Sequence, residues 1–139
     1  MKTSARNHFS GEIKEIKSGA VNDEITLSVD GSTLVAVVTQ ESTKSLGLAV
    51  GSKASALIKA SSVLVMVDSD PAKISARNVL TGSVASVKPG AVNTEVTISA
   101  GNLQIAAIIT NDSATRLGLA VGTPASAVFK ASSVIVAVD

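Results

Sequence analysis

A chain of 139 residues with no Cys, Trp or Tyr and a formal net charge of +1 excludes several functions at once: disulfides, thiolate metal sites, iron–sulfur clusters and thiol redox chemistry all require cysteine. Near-neutrality gives no general electrostatic pull on nucleic acid or membrane. No apolar run reaches the roughly 18 residues of a membrane-spanning helix, and the opening Met1-Lys2-Thr3-Ser4-Ala5-Arg6 lacks a signal-peptide apolar region, so a cytoplasmic protein is expected.

The chain is an internal tandem repeat. Ser4-Ala5-Arg6-Asn7 returns as Ser75-Ala76-Arg77-Asn78, and the alignment runs without a gap from Ser4 to Asp68 with roughly half of the paired positions identical. Each copy closes on a second shared block, Lys59-Ala60-Ser61-Ser62-Val63 and Lys130-Ala131-Ser132-Ser133-Val134. This predicts a first domain over residues 1–68, a linker over 69–73 and a second domain over 74–139. The 45% hydrophobic fraction is aliphatic and alanine, with two Phe. Units this small bury little core, so self-association is expected to supply part of the stability.

In chain order, Gly11–Lys17 reads as a strand carrying Ile13 and Ile16, followed by the turn Ser18-Gly19-Ala20-Val21-Asn22. Glu24–Val29 alternates, with Ile25, Leu27 and Val29 on one face and Thr26 and Ser28 on the other, as a half-buried strand does. Asp30-Gly31 is the preferred type I′ hairpin dipeptide, replaced by Gly101-Asn102 in the second copy, and Ser32–Val38 is the return strand. The period then changes. Thr39 to Gly47 reads as a short helix, with Thr39 as cap, Glu41 in the first turn and Gly47 as a left-handed terminator; Thr110, Asp112 and Gly118 repeat the pattern. Strands over Ser52–Ile58 and Val63–Val67, and over Thr123–Phe129 and Val134–Val138, complete the copies, interrupted by the Lys-Ala-Ser-Ser blocks. Three strands, a helix and two strands is the order of an OB-type barrel, so the predicted fold is all-β: two tandem OB-like five-stranded barrels, each with one short helix between strands 3 and 4.

With the apolar positions set aside, hydrogen-bond donors dominate what recurs: Ser4/Ser75, Arg6/Arg77, Asn7/Asn78, Lys17/Lys88, Asn22/Asn93, Thr39/Thr110, Ser42/Ser113, Lys59/Lys130 and the serines after the lysines. Arg and Lys donate only, hydroxyls can donate, and turns expose backbone N–H groups. Such a set suits an anion with acceptors and no protons, a tetrahedral oxyanion, whereas acid–base catalysis would need a carboxylate or His. Helix capping accounts for Thr39 and Ser42 with or without a ligand contact, and the Gly-Ala-Val-Asn stretches are turns first. His8, the single histidine, becomes Val79 and reads as a strand residue. Gly47-Leu48-Ala49-Val50-Gly51-Ser52-Lys53 is one residue short of a phosphate loop, and its Lys becomes Pro124. Glu24 and Glu95 are expected to pair with a lysine or a turn N–H. No metal site and no nucleophile–base pair recurs, so an enzyme is not expected.

Ser-Ala-Arg-Asn, Gly-Ala-Val-Asn-x-Glu-Val/Ile-Thr, Thr-x-x-Ser-x-x-x-Leu-Gly-Leu-Ala-Val-Gly and Lys-Ala-Ser-Ser-Val together resemble the molbindins, the Mop/TOBE-type domains that bind molybdate and tungstate. The resemblance covers nearly the whole chain twice. It implies an OB-like barrel with oxyanion sites between domains, assembly as a homotrimer, molybdate or tungstate as the bound ligand with no catalytic cofactor, and a role in intracellular molybdate storage and homeostasis. Carried over by motif, the oxyanion-binding residues would be Ser4, Ala5, Arg6, Thr39, Ser42, Lys59, Ala60 and Ser61, repeated as Ser75, Ala76, Arg77, Thr110, Ser113, Lys130, Ala131 and Ser132. Each set is a half-site. Asn22 and Asn93 are candidates for a second site class on the symmetry axis.

Two other functions fit the sequence less well. An OB-type nucleic-acid-binding protein needs aromatic stacking surfaces, and two Phe do not make one. In the family it resembles, a ligand-sensing regulatory module is attached to a DNA-binding helix-turn-helix or a transporter ATPase, which a chain of this length is not expected to hold. No nucleic-acid or membrane partner is expected.

Overall fold

The computed structural model describes residues 1–139. Strand β1 (Asn7–Ser18) leads to β2 (Asn22–Val29), β3 (Ser32–Thr39), helix α1 (Gln40–Ser45), β4 (Lys53–Ile58), a 3₁₀ turn at Ala60–Ser62 and β5 (Leu64–Met66). A 3₁₀ turn at Pro71–Lys73 precedes the second round: β6 (Asn78–Pro89), β7 (Asn93–Ala100), β8 (Leu103–Thr110), α2 (Asn111–Arg116), β9 (Pro124–Phe129), a 3₁₀ turn at Ala131–Ser133 and β10 (Ile135–Ala137). The expected elements are all present in the expected order. The first strand is longer than its apolar pattern indicates, because it serves two neighbours. Its early residues, Asn7–Glu12, pair with β4, and its later ones, up to Ser18, pair with β2. Near the changeover stand Gly11 and its counterpart Gly82, where a Cβ would run into the carbonyl oxygens of Ser28 and Ser99. Only glycine allows so close a backbone approach.

The two hairpins reach similar geometry with different residues. Asp30 and Gly31 are both left-handed, at φ 47° and 86°, as a type I′ turn requires, whereas in the second hairpin only Gly101 is, at 58°. Gly47 and Gly118 end the helices at φ 63° and 64°, the left-handed stop expected of them.

Each curled sheet has five strands, in the orders β10-β4-β1-β2-β3 and β5-β9-β6-β7-β8. The fifth strand of each sheet therefore comes from the other repeat. Leu64–Met66 pairs with Ser126–Val128, and Ile135–Ala137 pairs with Ser55–Leu57. A 3₁₀ turn rather than a hairpin separates β4 from β5, so the chain does not fold back on β4 and runs across to β9. Sequence repeats and sheets are consequently different units. The core is continuous across them: Ile13, Ile25, Leu27, Leu34 and Ile58 of the first repeat share one buried cluster with Val84, Ile98, Ile105 and Phe129 of the second, and the exchanged Val65 and Val136 lie within it.

A buried side-chain amide reinforces the exchange on each side. Asn78 Nδ2 donates to Val35 O at 2.8 Å while Val35 N–H donates to Asn78 Oδ1 at 2.8 Å. Asn7 does the same to Ala106, at 2.8 Å in each direction, and also reaches Ile58 O at 3.2 Å. Each amide acts as a one-residue extension of the sheet along the other repeat's edge strand. Asn78→Ala would leave the N–H and C=O of buried Val35 without partners, so a loss of roughly 2–4 kcal/mol in unfolding free energy is expected by urea titration. A loss below about 0.5 kcal/mol, the scale of an ordinary surface change, would show that the amide is not structural.

Candidate functional site

The two repeated polar blocks meet because β1 starts where β4 ends. Asn7 is opposite Ile58 in the β1–β4 pairing, so the residues before Asn7 lie beside those after Ile58. There a cleft of about 380 Å³ is lined by Thr3, Ser4, Ala5, Arg6, Leu57, Lys59, Ala60, Ser61, Ile108 and Ile135. Six of the candidate ligands thus surround one space. Leu57, Ile108 and Ile135 form its apolar wall, and the last two belong to the second repeat, which sequence spacing does not reveal. Lys59 and Lys130 are exposed and form no ion pair. The second tetrad has the corresponding setting, with Asn78 on Val35 of β3 and the Ala131–Ser133 turn against the same strand.

The arginines of the tetrads are not free. Arg6 Nη1 lies 2.7 Å from Glu95 Oε2, and Arg77 donates through Nη1 and Nη2 to Glu24 Oε2 and Oε1 at 2.8 and 3.0 Å. Both pairs cross between repeats. Glu24 and Glu95 were expected to pair with a lysine or a turn N–H; their partner is instead the other repeat's arginine, because the exchanged packing places each tetrad against the opposite β2 or β7. Lys17 and Lys88 do stand directly across the ladder from them. The hydrogen bonds from Arg77 hold the Glu24 carboxyl below its usual range, partial burial opposes this, and the charges of Arg77 and Lys17 add to the lowering. The recurrence of Glu24 as Glu95 was the available signal; the partner was not legible.

Thr39 and Thr110 cap their helices. Ser42 N–H donates to Thr39 Oγ1 at 3.1 Å and the two hydroxyls are 2.8 Å apart, with the same distances for Thr110 and Ser113. Neither pair lines the cleft, although Thr110 follows Ile108 by two positions on β8. Asn22 and Asn93 are exposed at the β1–β2 and β6–β7 turns, where their carbonyls accept from Gly19 and Gly90 N–H at 2.9 and 2.7 Å. His8 is exposed on β1, and no group of three or more His, Cys, Asp or Glu side chains is placed to hold a metal ion. A larger groove of about 750 Å³ mixes Glu12, Asp30 and Asp139 with Lys14 and Lys53. Its four charged positions from the first repeat, Glu12, Asp30, Lys14 and Lys53, become Ser83, Gly101, Ala85 and Pro124 in the second, so it is not the repeated site.

The sequence pattern of the TOBE domain matches residues 3–65 and again 74–136. The chain belongs to the TOBE domain family. Its two TOBE domains are 49% identical over 139 residues to the molybdenum-pterin-binding protein MopA of Rhodobacter capsulatus, covering 99% of this chain and 52% of that protein. They are 44% identical over 141 residues to the molybdenum transport protein ModE of Herbaspirillum seropedicae, covering 100% and 52%. The chain thus spans about half the length of these relatives. The crystal structure of the cytoplasmic molybdate-binding protein ModG, with molybdate bound, superimposes over 100% of both chains with a TM-score of 0.95 and 47% identity. No helix of either TOBE domain is long and apolar enough to cross a membrane.

The depressed carboxyl of Glu24 has a signed consequence. Because it releases its proton at lower pH folded than unfolded, the stability from its pairing with Arg77 is complete at neutral pH and is lost as pH falls through the folded value, below the ordinary 4.5. Glu24→Gln should therefore lower the unfolding midpoint near pH 7, and the two proteins should converge as the medium becomes acidic. Parallel pH profiles would show that the pair contributes nothing to stability.

Proposed function

We propose that this protein binds molybdate and tungstate in the cytoplasm, at sites between its TOBE domains and between subunits, and holds them in a storage and homeostatic role without catalysing a reaction. The observation that carries this is the first cleft: Ser4, Arg6, Lys59 and Ser61 line it together, and no carboxylate is among its lining residues. Molybdate is a dianion with four acceptor oxygens, and charge-assisted hydrogen bonds to it contribute roughly 1.5–3 kcal/mol each. The kinship with MopA and with molybdate-bound ModG supports the same ligand. The ligands are Ser4, Ala5, Arg6, Lys59, Ala60 and Ser61 in one half-site and Ser75, Ala76, Arg77, Lys130, Ala131 and Ser132 in the other. Thr39, Ser42, Thr110 and Ser113 add hydroxyls from the helix starts, and Asn22 and Asn93 serve a second site class.

The exposed surface supports self-association. Six exposed apolar residues come in repeat-related pairs, Val21 and Val92, Val50 and Val121, Leu64 and Ile135, each more than half exposed, and a homotrimer covers them. Sedimentation at micromolar concentration should give three chains per particle; a well-folded monomer would remove the proposed intersubunit contribution.

The binding test is calorimetry with molybdate, tungstate and sulfate. The first two should bind alike and sulfate at least about tenfold more weakly, a gap of about 1.4 kcal/mol that cavity size alone supplies. In the same titration Arg6→Ala, Lys59→Ala, Arg77→Ala and Lys130→Ala should each weaken molybdate by about tenfold or more at their own sites, with the oligomer intact. Undiminished affinity and stoichiometry in all four would overturn the site assignment.

A further inference from the structure

Each tetrad arginine already carries an anion. A carboxylate on a guanidinium offers coplanar acceptor oxygens to a rigid donor fork, which is the contact two oxygens of a tetrahedral oxyanion would make. Glu24 supplies that two-oxygen contact to Arg77, and Glu95 meets Arg6 through a single Oε2–Nη1 contact at 2.7 Å, in each case from the other repeat. The Glu24 and Glu95 side chains are only 22% and 30% exposed, so they do not drift freely from the fork. An oxyanion beside Ser4 and Lys59 must share the guanidinium with this carboxylate or displace it. Displacement has somewhere to go: Lys17 lies across the strand ladder from Glu24, and Lys88 lies across it from Glu95. Both lysines recur in the repeat and lie outside the proposed ligand set; Lys17 also stands 3.8 Å from Glu15.

The competition is decided by charge. A tethered group competes at an effective concentration in the millimolar range, and a free monoanion brings to arginine no more charge than the carboxylate it must replace. A dianion brings twice the charge and attracts the unpaired Lys59 or Lys130 as well. We propose that Glu24 and Glu95 act as a charge filter: the resident carboxylate on Arg77 or Arg6 restricts the clefts to doubly charged oxyanions and turns away singly charged ones of the same shape and size. Cavity size cannot make this distinction, since perrhenate is a tetrahedral monoanion nearly matching tungstate in dimensions. The filter rests on the oxyanion reading above, and its residues are positioning residues that act through the arginines.

The test is calorimetric titration of the full chain with tungstate and with perrhenate. Wild-type protein should bind perrhenate at least about a hundredfold more weakly than tungstate. Glu24→Gln with Glu95→Gln keeps an acceptor on each arginine and removes the charge; the gap should narrow at least about tenfold, chiefly by gain of perrhenate, while Glu24→Asp with Glu95→Asp should retain most of it. An independent variant keeps all four partners of the two ion pairs in place. Lys17→Gln with Lys88→Gln removes the place to which the displaced carboxylate moves, and should weaken tungstate severalfold without changing the unfolding midpoint measured without added oxyanion by more than a surface substitution does. An unchanged or wider gap in the glutamine variant, or unchanged tungstate affinity in the lysine variant, would overturn the filter while leaving the oxyanion site standing. No tungstate binding by the wild-type protein would remove both.

Discussion

Reciprocal exchange of the last strand is the constraint on which the rest of this structure depends. Leu64–Met66 completes the second sheet and Ile135–Ala137 the first, so neither sheet has its full complement without the other repeat. Val65 and Val136 enter the shared core. The exchange also brings Asn7 and Asn78 onto the edges of β8 and β3, where an apolar residue would leave backbone groups unpaired. A buried amide at that position thus fixes the register of one repeat against the other as well as adding hydrogen bonds.

The same packing makes the cleft composite. Ser4, Arg6, Lys59 and Ser61 converge from one repeat, but the wall that closes on them includes Ile108 and Ile135 from the other. A donor cluster on an open surface would be screened by water; against an apolar wall each charge-assisted bond is worth more. Arg6 and Arg77 meet the opposite repeat's Glu95 and Glu24 in the same region, so the groups that would receive an anion also join the repeats.

Some of this was legible in the chain. Alternation over Glu24–Val29, the Asp30-Gly31 turn and the Thr39 and Gly47 helix signals are local, and the structure shows strands, turn and caps in those places because short-range sterics and backbone hydrogen bonding determine them. The pairing of Glu24 with Arg77 was not legible: 53 residues separate them, and no periodicity links them. Length of the first strand was under-read as well, since β1 gains its extra residues from pairing with β4 and not from its own apolar pattern.

By itself, the sequence determined that there are two copies of one β-rich unit, that each carries the same donors at its start and after its fourth strand, and that cysteine chemistry is absent. Those properties reside in residue identity and near-neighbour spacing. Only the tertiary structure decided which copy completes which sheet, which carboxylate sits on which arginine, and which apolar side chains wall the cleft. The two repeats present nearly the same pattern, so pairing a strand within its own copy or across to the other satisfies the local rules equally. The choice is made by how the 3₁₀ turns at Ala60–Ser62 and Ala131–Ser133 direct the chain and by what the joint core can bury.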